Sequence, residues 1–214
     1  HIKNIGIIKV QMNGEEMVSN ASVVFWKKKL LIITAAHSVF DWHYKKFAES
    51  ISFFDYEGNE VNINRIVLSN NWVSEGILDF DTAILIPDKT NDCNYNKIYP
   101  KFFYDKEQKI TVLYLKDKLF KKKLMCHEAN TFEDYIYESS MIGVNLKAKE
   151  GYSGSPWYYK DEKGTYQITN TSLSFKKYKK LTFAPYWGMH MKDMFLFSEN
   201  VNNVNEKYIN HILY

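Results

Sequence analysis

Cysteine is scarce in this chain. The 214 residues include only Cys93 and Cys126, far apart and without the paired spacing of a zinc site. Spacing alone leaves two free thiols and a single disulfide both open, and neither a metal nor a cofactor is expected. Crosslinks therefore contribute little, and core packing has to hold the fold. Long apolar runs are also missing: Leu30 to Ile33 is far shorter than the ~20 residues a membrane helix needs. No apolar leader opens the chain, which starts at His1 rather than Met. The expectation is a processed or excised form, and a secreted mature enzyme and an excised cytoplasmic domain fit equally. A surplus of one charge is absent too, because 28 basic residues face 25 acidic ones for a net charge of +3. Neither a nucleic-acid partner nor membrane insertion is expected, and the oligomeric expectation is a monomer.

What is present is apolar and aromatic in short pieces: 45% of residues are hydrophobic and 16% aromatic. That is ample for a buried core, and all-β domains of this length are common. Segments such as Ile5 to Val10, Val23 to Trp26, Leu30 to Thr34, Val61 to Val67, Thr82 to Ile86 and Ile110 to Leu115 are rich in β-branched and aromatic residues. Tyr135 to Val144, Gly164 to Asn170 and Met194 to Phe197 read the same way. Turn-forming clusters separate them, as at Tyr56-Glu57-Gly58-Asn59, and many short strands of this kind predict a sandwich or barrel. A helical interval occurs only at the end, through Val201, Val204, Tyr208, Ile209 and Ile212. No repeat, low-complexity tract or linker is visible. The lysines at Lys121–Lys123 and at Lys176, Lys177, Lys179 and Lys180 read as solvated loop charges.

Three short stretches carry chemistry. Thr34-Ala35-Ala36-His37 ends a hydrophobic strand, and Asp81-Thr82-Ala83-Ile84-Leu85 begins another. Gly151-Tyr152-Ser153-Gly154-Ser155-Pro156 is a tight turn of small residues before a strand. Acyl transfer from an amide needs a nucleophile, a base and a group that orients the base. Ser153, His37 and Asp81 fit those roles, in the chain order His, Asp, Ser. The glycines let backbone N–H groups, those of Gly151 and Ser153, converge on a developing oxyanion. Asp79 competes with Asp81, because residues two apart on a strand share a face.

These stretches resemble the trypsin/chymotrypsin family of serine peptidases, most closely its small bacterial branch of glutamyl endopeptidases of the staphylococcal V8 type. The resemblance implies an all-β fold of two antiparallel six-stranded barrels and a C-terminal α-helix. Residues 1–90 would form the first barrel with His37 and Asp81, residues 100–198 the second with Ser153, and residues 199–214 the helix. It also favours Asp81 over Asp79, since the family's aspartate directly precedes such a strand. The implied activity is endopeptidase cleavage of a protein or peptide substrate. A viral 3C-like serine polyprotein protease shares the motif set, and a protease-fold binding module without turnover is the rival class.

Two departures stand out. Tyr152 occupies the position where trypsin-like enzymes carry an aspartate that pairs with a cleaved amino terminus, so that activation switch is expected to be absent. A longer stretch follows Ser153 than in V8-type enzymes, and residues 174–180 read as an extra loop or hairpin. For specificity, Gly188-Met189-His190 matches a family strand whose histidine enters the primary pocket, and Lys147 falls six residues before the serine. Together they imply cleavage after Glu or Gln. An alternative register makes Ile168 to Ser172 the pocket strand and leaves His190 in a loop.

Overall fold

The computed structural model describes residues 2–89, 95–118 and 121–214; Cys93 lies outside them. In the first half the strands are β1 (Ile5–Met12), β2 (Glu15–Trp26), β3 (Lys29–Thr34), a two-residue pair β4 (Phe40–Asp41) and β5 (Lys46–Phe47), β6 (Ser50–Asp55), β7 (Glu60–Ser69) and β8 (Ala83–Pro87). A short helix α1 (Asn70–Glu75) follows β7, capped by the Ser69 side chain and ended by Gly76 in the left-handed conformation. The β1–β2 hairpin turns at Asn13-Gly14, both with positive φ, as a two-residue turn matched to strand twist requires. Strands β6, β1, β2, β3, β8 and β7 pair antiparallel in sequence around a ring, and β7 pairs back to β6 to close it. This is the first expected barrel.

The second half contains β9 (Tyr99–Pro100), β10 (Lys109–Lys118), β11 (Lys121–Asn130), β12 (Phe132–Glu133), β13 (Ile142–Val144), β14 (Pro156–Asp161), β15 (Gly164–Asn170) and β16 (Thr182–Ala184). Among the described residues these do not pair as one closed antiparallel ring. They form a five-stranded sheet, β11-β10-β14-β15-β9, and a three-stranded sheet, β12-β13-β16, joined where Leu173 bridges Phe183. The β15–β9 contact is parallel. The strand expected from Tyr135 shortens to Ile142–Val144, because the Asp134 carboxylate accepts the amides of Ile136, Tyr137 and Ser139 and turns the chain. Residues 174–180 hold a single 3-10 turn, Lys176–Tyr178, with its lysines exposed.

The carboxyl-terminal region differs from the sequence expectation. A helix is present, but it is α2 (Met189–Phe197), so Met194 to Phe197 is helical rather than a strand. Met191, Met194, Phe195 and Ser198 are buried at helical intervals, which fixes its inner face. Residues 199–207 are rich in asparagine, a poor helix former, and Val204 is fully exposed. Tyr208–Ile212 is instead strand β17, antiparallel to β7. β6 pairs with β7 only as far as Asn62, so β17 covers the edge left open from Arg65 to Ser69. No helix among the described residues is long and apolar enough to cross a membrane.

Alternation along the barrel strands divides their side chains between two cores. Val23, Ile32, Ile66 and Leu85 fill the barrel with Ile8, Val10 and Phe53. Their neighbours Val24, Leu31, Ile33, Val67 and Ile84 face the other way and pack with Val112, Ile142, Trp157, Ile168, Trp187 and Phe195 of the second half. The uninterrupted apolar run of β3 follows from this, since both of its faces are dry. We therefore expect Ile32→Ala and Ile33→Ala each to cost about 2–5 kcal/mol in denaturant unfolding. A cost below about 1 kcal/mol at Ile33 would mean that the two halves do not share a packed core.

Candidate active site

Pairing of β3 with β8 brings two of the singled-out residues together. Thr34 lies opposite Ala83 at the end of the ladder. His37 follows three residues after Thr34, on the 3-10 turn Ala36–Ser38, and Asp81 lies two residues before Ala83, at the end of a second 3-10 turn, Leu78–Phe80. Ala35 and Ala36 are fully buried, so the small side chains let the turn pack onto the barrel end. The His37 amide donates to Asp81 Oδ1 at 2.8 Å, and His37 Nδ1 lies 2.7 Å from Asp81 Oδ2. A carboxylate only accepts, so Nδ1 carries the proton and Nε2 presents a lone pair. That Nε2 is 2.9 Å from Ser153 Oγ.

Ser153 comes from the second half, on the turn before β14. Gly151 and Gly154 both have positive φ, at 90° and 83°. A Cβ on Gly154 would meet the Asn20 carbonyl at 2.1 Å and Thr34 Oγ1 at 2.4 Å, so only glycine allows this approach to the first half. The Ser153 carbonyl accepts from the Asn20 amide and from Ser19 Oγ, each at 2.9 Å. Gly154 N–H donates to the Thr171 carbonyl at 2.8 Å. The N–H groups of Gly151 and Ser153 donate to no acceptor among the described residues.

Asp81 has no solvent exposure. Burial by itself raises its pKa, but the His37 charge and hydrogen bonds from His37 and Ser172 together hold it below the ordinary carboxylate value. His37 is the mirror case. Burial disfavours its charged form, yet the charge and hydrogen bond of Asp81 outweigh that and lift its pKa above the usual histidine value. Ser172, which no motif marked, donates to Asp81 Oδ2 at 2.5 Å, and its carbonyl lies 3.3 Å from Ser153 Oγ. Asn170 Nδ2 supports the Asp81 carbonyl at 3.1 Å. The continuation of β15 through Ser172 thus runs beside Ser153.

The other candidates lie elsewhere. Asp79 accepts from the amide and hydroxyl of Ser140 rather than from an imidazole. His190 opens α2 instead of lying on a strand, with its ring edge-on to Phe80 at 4.9 Å and Nε2 buried without a partner. Burial lowers its pKa against the pull of Asp79 and Asp193. Lys147 is exposed and makes no ion pair among the described residues. Neither His190 nor Lys147 shares a hydrogen bond or ring contact with the residues around Ser153. Tyr152 is buried against Tyr114, ring centres 4.3 Å apart, within the core shared by the two halves. His43 and Cys126 are exposed, His127 meets the Asn145 carbonyl, and His211 stacks on Phe47. No cluster of three or more metal-binding side chains exists among the described residues.

A cleft of about 600 Å³ opens beside Ser153 and is walled on one side by His37 and Ser38. Its lining also includes Val10, Met17 and Val18, with Glu15, Glu16 and Glu150 and no lysine or arginine.

No family model matches this chain, and no curated protein matches its sequence. Solved structures do match its fold. The thermostable serine protease AL20 from an extremophilic microorganism superposes with a TM-score of 0.80 at 19% identity, covering 94% of this chain and 98% of that one. Protease Anisep from Arthrobacter nicotinovorans gives 0.78 at 17% identity, over 91% and 94%. Tobacco etch virus protease complexed with substrate gives 0.65 at 13% identity, over 97% and 86%. The architecture is therefore all-β and chymotrypsin-like, with one closed six-stranded barrel and a short helix toward the carboxyl end.

Proposed function

We propose that the chain is a serine endopeptidase working through Ser153, His37 and Asp81. The observation that carries the reading is the hydrogen-bonded chain from Ser153 Oγ through the His37 ring to the buried Asp81 carboxylate, at 2.9 and 2.7 Å, beside two amides without acceptors among the described residues. Ser153 Oγ attacks the substrate carbonyl while His37 Nε2 takes its proton. Asp81 holds the tautomer and stabilises the imidazolium. The oxyanion receives the Gly151 and Ser153 N–H groups. When the intermediate collapses, the C–N bond breaks and the leaving amine takes the proton from His37. Water then repeats the sequence on the acyl-enzyme, with His37 again as base and acid.

The fold neighbours support this reading, being proteases from Arthrobacter nicotinovorans, an extremophilic microorganism and tobacco etch virus. A viral polyprotein protease remains the second reading, since tobacco etch virus protease shares the fold. An assembled triad argues against a binding module. Preference for Glu or Gln rests on His190, which lies on a helix rather than the expected strand, and on the exposed Lys147, so the proposal does not include it. The acyl-side pocket is assigned to the segment through Ser172, and the substrate partner is a protein or peptide.

Ser153→Ala and His37→Ala should each lower turnover by about 10⁴- to 10⁶-fold, with labelling by a fluorophosphonate probe lost in the serine variant. Retention of near-normal peptide cleavage by Ser153→Ala sinks the mechanism.

The pH dependence has a definite sign. Protonated His37 cannot act as base, so kcat/KM should rise with pH through one ionisation, with its midpoint above the ordinary histidine value of about 6.5. Asp81 is what raises that midpoint and burial opposes it. Asp81→Asn should therefore move the midpoint below about 6.5, besides reducing turnover by about 10⁴-fold. A midpoint that stays put in Asp81→Asn contradicts the assigned coupling.

The leaving amine must lie on the His37 side of Ser153, which is the side of the acidic cleft. Substrates with Lys or Arg just after the scissile bond should be cleaved roughly 3- to 10-fold faster than those with Asp or Glu, and the gap should narrow in high salt. The double variant Glu15→Lys with Glu16→Lys should erase or reverse the preference. Equal cleavage of both substrate sets in low salt removes this assignment.

A further inference from the structure

The turn that supplies the oxyanion amides needs something to hold it, and Tyr152 cannot form a charge pair with a free amino terminus. The side chain placed to do so is Asn20 on β2, which is 1% exposed. Every hydrogen-bonding group of this residue is engaged. Its Nδ2 donates to the Gly151 carbonyl at 2.8 Å and to the Leu115 carbonyl at 3.2 Å, and its Oδ1 accepts from the Leu115 amide at 2.7 Å. Its backbone N–H donates to the Ser153 carbonyl at 2.9 Å, and its carbonyl accepts from Thr34 Oγ1 at 2.8 Å. One residue thus ties β2, β10 and both ends of the Gly151–Ser153 turn.

The geometry of the peptide unit gives this brace its consequence. In a trans peptide the C=O and the following N–H point in opposite directions. Asn20 draws the Gly151 carbonyl toward β2, so the Tyr152 N–H turns the other way and donates to the Lys149 carbonyl at 3.2 Å. It also draws the Ser153 carbonyl inward, which directs the Gly154 N–H to Thr171. The unit between them is held by the Tyr152 carbonyl, which accepts from the Ser155 amide at 3.1 Å and from the Ser155 hydroxyl. Three successive peptide planes are therefore set. The Gly151 N–H is set only through its neighbouring plane, and Gly151, at φ 90° and without a Cβ, is the residue freest to rotate if that plane is released.

We propose that Asn20 is the positioning residue that keeps the Gly151 N–H directed at the reacting carbonyl, doing with neutral hydrogen bonds from within the chain what an amino-terminal ion pair does in trypsin-like enzymes. The proposal rests on the endopeptidase reading above. Asn20→Asp keeps the acceptor for Leu115 but replaces the Nδ2 donor with a second oxygen facing the Gly151 and Leu115 carbonyls.

In Asn20→Asp, kcat should fall by about 10²-fold, the scale of one lost oxyanion donor, while KM stays within about 3-fold. Affinity for a peptide aldehyde, whose tetrahedral adduct needs the same amides, should fall by the same factor. The downfield His37 Nδ1 proton resonance should remain, since the His37–Asp81 bond does not involve Asn20. A folded Asn20→Asp with kcat and aldehyde affinity within 3-fold of the parent overturns the proposal. Asn20→Ser, which is neutral and too short to reach either carbonyl, carries the same expectation if the aspartate variant does not fold. The unaltered protein supplies an independent measurement. Backbone ¹⁵N order parameters of Gly151 to Ser153 should be about 0.85 before any inhibitor binds, and values below about 0.6 would show that no brace exists. If the unaltered protein hydrolyses no peptide and takes no fluorophosphonate, the endopeptidase reading fails, while the order parameters still decide whether Asn20 holds the turn.

Discussion

A carboxylate with no solvent exposure sits at the meeting point of the two halves, and the arrangement around it follows from the need to satisfy that charge. Moving such a group out of water costs several kcal/mol even after relaxation, so it has to be met by donors. Asp81 is met by the His37 amide, the His37 ring and the Ser172 hydroxyl at 2.8, 2.7 and 2.5 Å. The first two come from the adjacent turn of the same barrel. The third comes from the strand extension of the second half, so the charge is fully satisfied only when the halves are docked. The carboxylate that holds the His37 ring is thus also a point at which the second half is fixed against the first.

The seam between the halves combines two kinds of contact with different roles. The apolar side chains of β2, β3, β7 and β8 that face Trp157, Trp187 and Phe195 supply area, and area is indifferent to small slides. Register comes from buried polar pairs. Ser22 donates to Gln167 at 2.8 Å, Thr82 to Asn170 at 2.6 Å, and Asn170 Nδ2 to the Asp81 carbonyl at 3.1 Å. Sliding any of these leaves a buried polar atom unmet, which is costly in a dry environment. The Ser153 turn is held by the same device, through the Asn20, Ser19 and Thr171 contacts. Ser153 Oγ on one half is thereby held 2.9 Å from His37 Nε2 on the other.

The meeting of His37, Asp81 and Ser153 was legible in the sequence because the proposed chemistry restricts each position to one or two residue types and because β3 and β8 announce themselves as apolar runs. The first barrel was legible for the same reason. Ser172 and Asn20 were not, since their partners lie 91 and 95 or more positions away and a serine or asparagine in a strand carries no local mark. The carboxyl-terminal helix was misplaced because five apolar residues over a dozen positions fit two periods. What decides for a strand is the open edge of β7, a property of the sheet and not of residues 199–214. Gly188-Met189-His190 failed as a guide to the pocket because three letters match by chance. Here Met189 begins a helix whose buried face is Met191, Met194 and Phe195.

Tyr152 shows how one substitution within a motif changes the means of holding a site. An aspartate at this buried position would face Tyr114 and the shared core, and it would need a cation beside it to stay ionised. The chain near its start is occupied elsewhere: the Lys3 amide and Asn4 are bonded to Asn96 and Val23, and the Lys3 ammonium pairs with Glu57. Among the described residues, no positive group from that segment is bonded to the turn. A tyrosine instead fills the position with ring surface, and the polar work passes to Asn20 and Ser155, which carry no charge. Neutral hydrogen bonds do not titrate, so the turn keeps its shape across the pH range in which His37 changes state. On the proposed mechanism, that separation leaves the protonation of His37 as the event that switches the site, with the Gly151 and Ser153 amides in place on either side of it.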